Sequence, residues 1–252
     1  MPIGARALTG PQAAALYGLD GYRDLDWPVR WCAPSTCRPQ PGVVRTRRWE
    51  DPVLIGDTPV APVHLVLHHL ADVEHHAPDG LALAERVELA VEHALRSRLV
   101  ALDDLAVRGR GGPGDGVLRD ILRVRGGEPP TESFAETRAA QLLRSTGLVA
   151  WRQVFVVDGP RIVHRADFAV PFQLRARLRR PEPLLPHDGL IIEIDGRGLH
   201  EPQFERDHRR GSTYDRLGYR WISLTPTQIE HTPADCVAAV AGALGSGRRA
   251  RP

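Results

Sequence analysis

Lysine is absent from this chain: all 33 Lys plus Arg residues among the 252 are arginine. No lysine can therefore serve in a site, and every cationic contact must be made by a guanidinium, which can grip a phosphate through two parallel hydrogen bonds. An all-arginine set is equally what a GC-rich genome would give. Cysteine is scarce. Cys32, Cys37 and Cys236 are too few and too unevenly spaced for a disulfide framework, and no tight His/Cys pattern accompanies them to pin a tetrahedral metal site. No apolar run reaches the length of a signal or membrane segment, so a soluble cytoplasmic protein without a membrane partner is expected. The run Gly109-Arg-Gly-Gly-Pro-Gly lacks both the Gly-Lys-Ser/Thr ending and the preceding strand of a phosphate loop, which leaves a linker. Strong charge of either sign is lacking too. A net charge of +2 gives only mild support for a nucleic-acid partner, so local arginine clusters must carry that claim.

What is present is a globular balance, 42% hydrophobic and 25% charged, in a chain long enough for one large domain or two ordinary ones. In the first half Thr9-x-x-Gln12 fits a capping box for a helix over residues 11–17, with Pro11 at an acceptable early position. Residues 27–31 and 43–49 read as short strands between Pro- and Gly-rich turns. A His-rich helix follows over residues 62–76. His64, His68, Asp72 and His75 fall near one stripe of it with ligand-like spacing, while Val63, Val66, Leu67 and Leu70 make the stripe of an ordinary amphipathic helix. A second helix spans 81–99 and a third 116–124. The boundary between halves is best placed at Gly126-Gly-Glu-Pro-Pro130.

Beyond it Ser133 opens a helix that ends near Gly147. Ser133 and Glu136 match a capping box, yet Glu136 also borders the buried stripe of Ala140 and Leu143. Three strand-like runs follow, 151–157, 162–170 and 190–195, the first two joined by an Asp158-Gly159 turn signal. The long link at 171–189 carries Arg175, Arg177, Arg179 and Arg180, which suits either a polyanion or a solvated insertion. A helix over 203–217, a strand over 219–224 and a last amphipathic helix through Val237, Val240 and Leu244 complete the order.

The acids lie on the strands. In Leu190-Ile-Ile-Glu193-Ile-Asp195-Gly196, alternation puts Glu193 and Asp195 on one face, and in Arg161-Ile-Val-His-Arg-Ala-Asp167-Phe the same rule sets Asp167 opposite the apolar side. Half-buried carboxylates on neighbouring strands repel one another and resist burial unless a cation compensates them, and a divalent metal is the natural candidate. Glu193 and Asp195 are about 6.6 Å apart by strand rise, close enough to serve one ion or an adjacent pair.

The order of Asp167, then a hydrophobic strand with Glu193-x-Asp195-Gly196, then His200 resembles the PD-(D/E)XK nucleases. Within them it is most similar to endonuclease-domain proteins like the very-short-patch-repair endonucleases, over about residues 133–244. Upstream, Ala13-Ala-Ala-Leu-Tyr-Gly, a strand and Val43-Val-Arg-Thr-Arg-Arg resemble the part that follows the winged helix in AbiEi-type antitoxin proteins. No winged helix is legible ahead of it, which leaves Arg45, Arg47 and Arg48 as a patch for a nucleic-acid backbone or for solvent.

The resemblance implies an α/β protein with an α+β N-terminal region at 1–127, a restriction-endonuclease-like core at 131–246 built on a central mixed sheet flanked by helices, and a disordered Arg-rich tail at 247–252. It also implies a metal-dependent DNA endonuclease, acting in DNA repair or phage defence. Asp167 matches the family's first acid, Glu193 its second, and Asp195 stands where the name-giving motif has lysine. Mg²⁺ or Mn²⁺ would bind Asp167, Glu193 and Asp195, and Glu136, on the first helix where a Glu of the family approaches the metal site, would join the catalytic set. His200 would exchange the proton of the attacking water or the leaving oxygen. Arg165, Arg197, Arg206, Arg209 and Arg210 would contact DNA, Arg209 or Arg210 replacing the lysine at the scissile phosphate, although helical ion pairs such as Glu205 with Arg209 account for part of that set. The alternative is a degenerate fold that binds DNA, or an antitoxin-like regulator whose N-terminal region meets a protein partner.

Overall fold

The computed structural model describes residues 6–23, 27–47, 49–72, 80–108, 115–172, 183–195 and 210–245. It is mixed α/β and divides into two compact units, Met1–Pro130 and Thr131–Pro252. Among the described residues no helix is long and apolar enough to cross a membrane.

The first unit holds a five-stranded mixed sheet, β1 (Ala7–Thr9), β2 (Arg30–Pro34), β3 (Val43–Thr46), β4 (Val53–Ile55) and β5 (Thr58–Val60), in the order β3-β2-β1-β5-β4. Its helices are α1 (Gly10–Leu16), α2 (Val63–Asp72), α3 (Leu83–Arg96), α4 (Leu102–Arg108) and α5 (Asp115–Arg125). Three expectations are corrected here. Thr9 precedes α1 but its side chain makes no cap hydrogen bond; the hydroxyl is spent 2.5 Å from His69 Nδ1, in the interior. The strand expected from Trp27 begins at Arg30, because Pro28 has no N–H for a ladder, and Trp27 instead stacks 5.3 Å from Tyr22. The next strand stops at Thr46, opposite Pro34, where its partner ends.

The histidines of α2 also part company. His64 pairs with Glu50 at 3.2 Å, His68 with Asp115 at 3.1 Å, and His69 turns to Thr9, so three neighbouring side chains serve three different partners. Burial pushes His69 down to about 4, so it is neutral at pH 7. Residues 73–79, with His75 and His76, lie outside the described residues, as does the Gly-rich linker.

In the second unit α6 (Phe134–Ser145) leads into β6 (Trp151–Asp158), β7 (Arg161–Pro171) and β8 (Gly189–Ile194). Residues 210–217 form α7, followed by β9 (Arg220–Leu224), α8 (Pro226–His231) and α9 (Pro233–Gly245). The sheet order is β6-β7-β8-β9, antiparallel except for the β8–β9 pair. Two cores sandwich it. On one side Phe168, Val170, Leu190 and Ile192 meet Ala139, Leu143, Ile229 and Val240 from α6, α8 and α9. On the other, Trp151, Val154, Ala166, Ala169 and Ile191 meet Tyr214 of α7.

Caps fix the helix ends. Ser133 Oγ accepts from the Glu136 N–H, and Thr225 with Gln228 forms a complete capping box on α8. Between α7 and the sheet the approach is close: a Cβ added to Gly211 would lie 2.6 Å from Cζ2 of Trp221, whose indole N–H is held by Asp215 at 2.9 Å. Gly211→Ala is therefore expected to lose about 1–3 kcal/mol in urea unfolding, because a pinned indole cannot move aside without strain.

Candidate active site

β7 and β8 bring the acids together by register. Phe168 pairs with Ile192, Ala169 with Ile191 and Val170 with Leu190; the ladder ends there, and the same register carried one residue further would set Asp167 opposite Glu193. Asp167 Oδ2 accepts the Ile194 N–H at 2.8 Å. Glu193 is buried, and both its oxygens are engaged: Oε2 accepts from Arg210 Nη1 at 3.0 Å and Oε1 from the Tyr214 hydroxyl at 2.5 Å. Arg210 and Tyr214 stand one helical turn apart on α7, which is why both reach the same carboxylate. His164 approaches from β7, its Nε2 3.5 Å from Glu193 Oε1 and its ring 5.8 Å from that of Tyr214.

Glu136 enters from α6. Its Oε2 accepts the Glu132 N–H at 2.8 Å and the Gln153 side-chain amide at 3.0 Å, while Oε1 accepts from Ser133 Oγ at 3.0 Å. The Ser133 hydroxyl caps the helix, but the returning carboxylate takes the Glu132 N–H and the Ser133 hydroxyl, so the expected box is met on its Ser133 side. The carboxylate also lies close enough to act electrostatically on Asp167.

These charges do not balance. Burial first, and then the negative charge of Glu193, push Asp167 up to about 8; Glu136 adds to the rise, while the Ile194 N–H and Arg210 oppose it. At neutral pH Asp167 therefore keeps its proton beside the carboxylates of Glu136 and Glu193. Tyr214 responds to the same field: burial and Glu193 raise its phenol far above the ordinary range, so it remains a donor.

The site lies at an irregularity of the sheet. Trp151 and Val154, three residues apart on β6, belong to one core, and so do Ala166 and Ala169 on β7. In regular strands residues three apart point to opposite faces. The alternation therefore slips once in each strand, between Arg152↔Phe168 and Val154↔Ala166, where Gln153 stands across from Asp167. Gln153 has φ +52, and Asp167 sits where β7 changes face, within reach of α6 on one side and of Glu193 on the other.

Asp195 follows β8, and its carboxylate accepts a hydrogen bond from Ser223 Oγ rather than from any group around Asp167, among the described residues. Arg165 is half exposed at the rim and pairs with Glu132, the residue whose N–H holds Glu136. Arg45 and Arg47 are exposed in the first unit. His200, Arg197, Arg206 and Arg209 lie outside the described residues, as do Arg48, the arginines at 175–180 and the tail.

Sequence reasoning missed four members of the site. Tyr214 had a usable signal, its spacing of four from Arg210, which sets the two on one face of a helix. His164, Gln153 and Ser223 are brought in by strand register and by a backbone irregularity, for which no local pattern exists. Comparison with protein-family models, with curated proteins and with solved structures returned no match.

The donor set fits a hard cation. Carboxylate oxygens suit Mg²⁺ or Mn²⁺, which bind through one or two carboxylates and keep several waters. Among the described residues no group of three or more His, Cys, Asp or Glu side chains is placed to hold a metal ion, so a cation here would rest on one or two carboxylates and its own waters.

Proposed function

We propose that the second unit is a metal-dependent DNA endonuclease that hydrolyses phosphodiester bonds, with α6, the β6–β9 sheet and α7 arranged as a restriction-endonuclease-like core. The observation that carries this reading is the β7–β8 register, which sets the part-buried Asp167 carboxylate beside the buried Glu193, with Glu136 of α6 close enough to act on it.

Asp167 and Glu193 would hold Mg²⁺ or Mn²⁺, with Asp195 and Glu136 nearby. When bound, the ion would acidify a water and neutralise charge on the phosphate. Arg210, partly exposed and held against Glu193, would meet the phosphate in the role that lysine has in the motif. Tyr214 fixes the Glu193 carboxylate from beneath through its hydroxyl. His200 would relay the proton, and Arg165, Arg197, Arg206 and Arg209 would hold the DNA backbone. The first unit would meet DNA through Arg45 and Arg47 or bind a protein partner.

One observation favours a second reading. Both oxygens of Glu193 are already satisfied by Arg210 and Tyr214, as in a structural buried ion pair. Under it the unit binds DNA without cutting it. The test is incubation with supercoiled and mismatched duplex DNA, with and without Mg²⁺ or Mn²⁺, beside Asp167→Ala and Glu193→Ala. Metal-dependent nicking lost in both variants is the expected result. No cleavage by any of the three, with equal DNA binding, would transfer the assignment to the second reading.

A further inference from the structure

Two non-glycine residues have positive φ among the described residues, Arg98 and Gln153. Arg98 lies in the turn after α3, where such a conformation is common. Gln153 lies inside β6, is buried, and has φ +52, a region that glutamine enters against the preference of its Cβ. Glycine would adopt this backbone without strain. A strained residue persists where the surroundings over-determine it, and such positions cluster at functional sites. Here the surroundings are specific: the Gln153 amide donates to Glu136 Oε2 at 3.0 Å, and its backbone stands across the ladder from Asp167, at the step where both strands change face.

Resting on the nuclease reading, we propose that Gln153 is a positioning residue of the acidic centre. Its left-handed backbone turns the side chain toward α6, and the amide fixes Glu136 beside Asp167 so that the two carboxylates act together on a divalent cation. Two opposing demands follow for this one residue. The fold gains from glycine at 153, and the site gains from glutamine.

The test is Mn²⁺ alone, titrated calorimetrically into the full chain at pH 8, for wild type, Gln153→Gly, Gln153→Met, Glu136→Gln and the double variant Gln153→Met/Glu136→Gln, each also melted without metal. Gln153→Gly removes the strain and the amide together; Gln153→Met keeps length and burial and removes only the amide. Both are expected to bind Mn²⁺ about tenfold more weakly, the usual scale for losing a group that orients a ligand. Gln153→Gly should melt at or above the wild-type temperature. Glu136→Gln should weaken binding at least as much, and the double variant should add little to it, because the amide acts through that carboxylate. Wild-type affinity in both Gln153 variants would overturn the proposal while leaving the nuclease reading intact. Failure of wild type itself to bind Mn²⁺ at millimolar concentration would overturn both. A double variant showing the full sum of the single losses would overturn the route through Glu136.

Discussion

Asp167→Asn is expected to move stability and activity in opposite directions. Without divalent metal at pH 8 the variant should melt above wild type, and with Mg²⁺ its nicking rate should fall about a thousandfold. The stability half follows from the proton. In the folded state Asp167 is raised to about 8 from the ordinary 3.8, by burial and then by Glu193, so between about pH 4 and 8 the folded protein binds a proton that the unfolded chain has lost. Stability from this group is complete below about pH 4, declines as pH rises through that window, and is exhausted above about 8, a loss on the order of a few kcal/mol. Asparagine keeps an oxygen to accept the Ile194 N–H and carries no charge at any pH, so the decline should flatten in the variant. The activity half follows from the same substitution: a neutral amide no longer offers the anionic oxygen a cation needs, and several kcal/mol of transition-state charge stabilisation goes with it. Thermal melts of both proteins from pH 5 to 9, with and without Mg²⁺, read the first half. Saturating Mg²⁺ should raise the wild-type melt at pH 8 and leave the variant's in place. His69, lowered to about 4, contributes a rise of stability up to about pH 6.5 in both proteins, so the reading is their difference. An identical pH dependence in wild type and variant would mean that Asp167 is ionised throughout and that its carboxylate is already compensated.

Local signals reached some levels of this molecule and not others. The acids on the two strands were visible because alternation is a property of each strand by itself: Glu193 and Asp167 interrupt short apolar runs, although the face that Glu193 shares with Ile191 is itself covered by a second core. Ser133 and Gly147 were visible because a helix end is decided within four residues. Thr9 shows the limit. Its sequence context is that of a cap, and a histidine 60 positions away takes the hydroxyl. The hairpin of β4 and β5 was missed although Gly56-Asp57 lies between two short apolar runs, with Gly56 at φ +59. At the site, single-strand alternation could not foresee that β6 and β7 slip together. That slip places Asp167 between Glu136 and Glu193, and it depends on one residue adopting a conformation its type disfavours. Asp195 illustrates the reverse case. Alternation sets it beside Glu193, yet Ser223 on the neighbouring strand takes its carboxylate.

Glu193→Ala and Glu193→Gln should separate the two roles this carboxylate can have. Alanine strips Arg210 of its 3.0 Å partner and Tyr214 of its acceptor, leaving a guanidinium and a buried hydroxyl without their anion. Removing one member of a buried pair costs about 3–5 kcal/mol, and the lower end applies because the Arg210 side chain, 30% exposed, can turn toward water. Glutamine keeps a carbonyl that can accept from Tyr214 or Arg210, so its loss should be about half as large. The charge at Asp167 changes in both variants. With Glu193 neutral or gone, Asp167 loses the second-largest cause of its raised pKa, and the window over which stability declines with pH should narrow from its upper end. Cleavage discriminates where stability does not. A carboxylate that serves only to anchor α7 would leave Glu193→Gln close to wild-type nicking rates, because the fold survives. A carboxylate that holds the cation would leave Glu193→Gln as inactive as Glu193→Ala, about a thousandfold down, despite its better stability. The second outcome is expected, since an acid buried deeply enough to lift its neighbour's pKa by repulsion is costly to keep unless that repulsion is relieved when a cation binds.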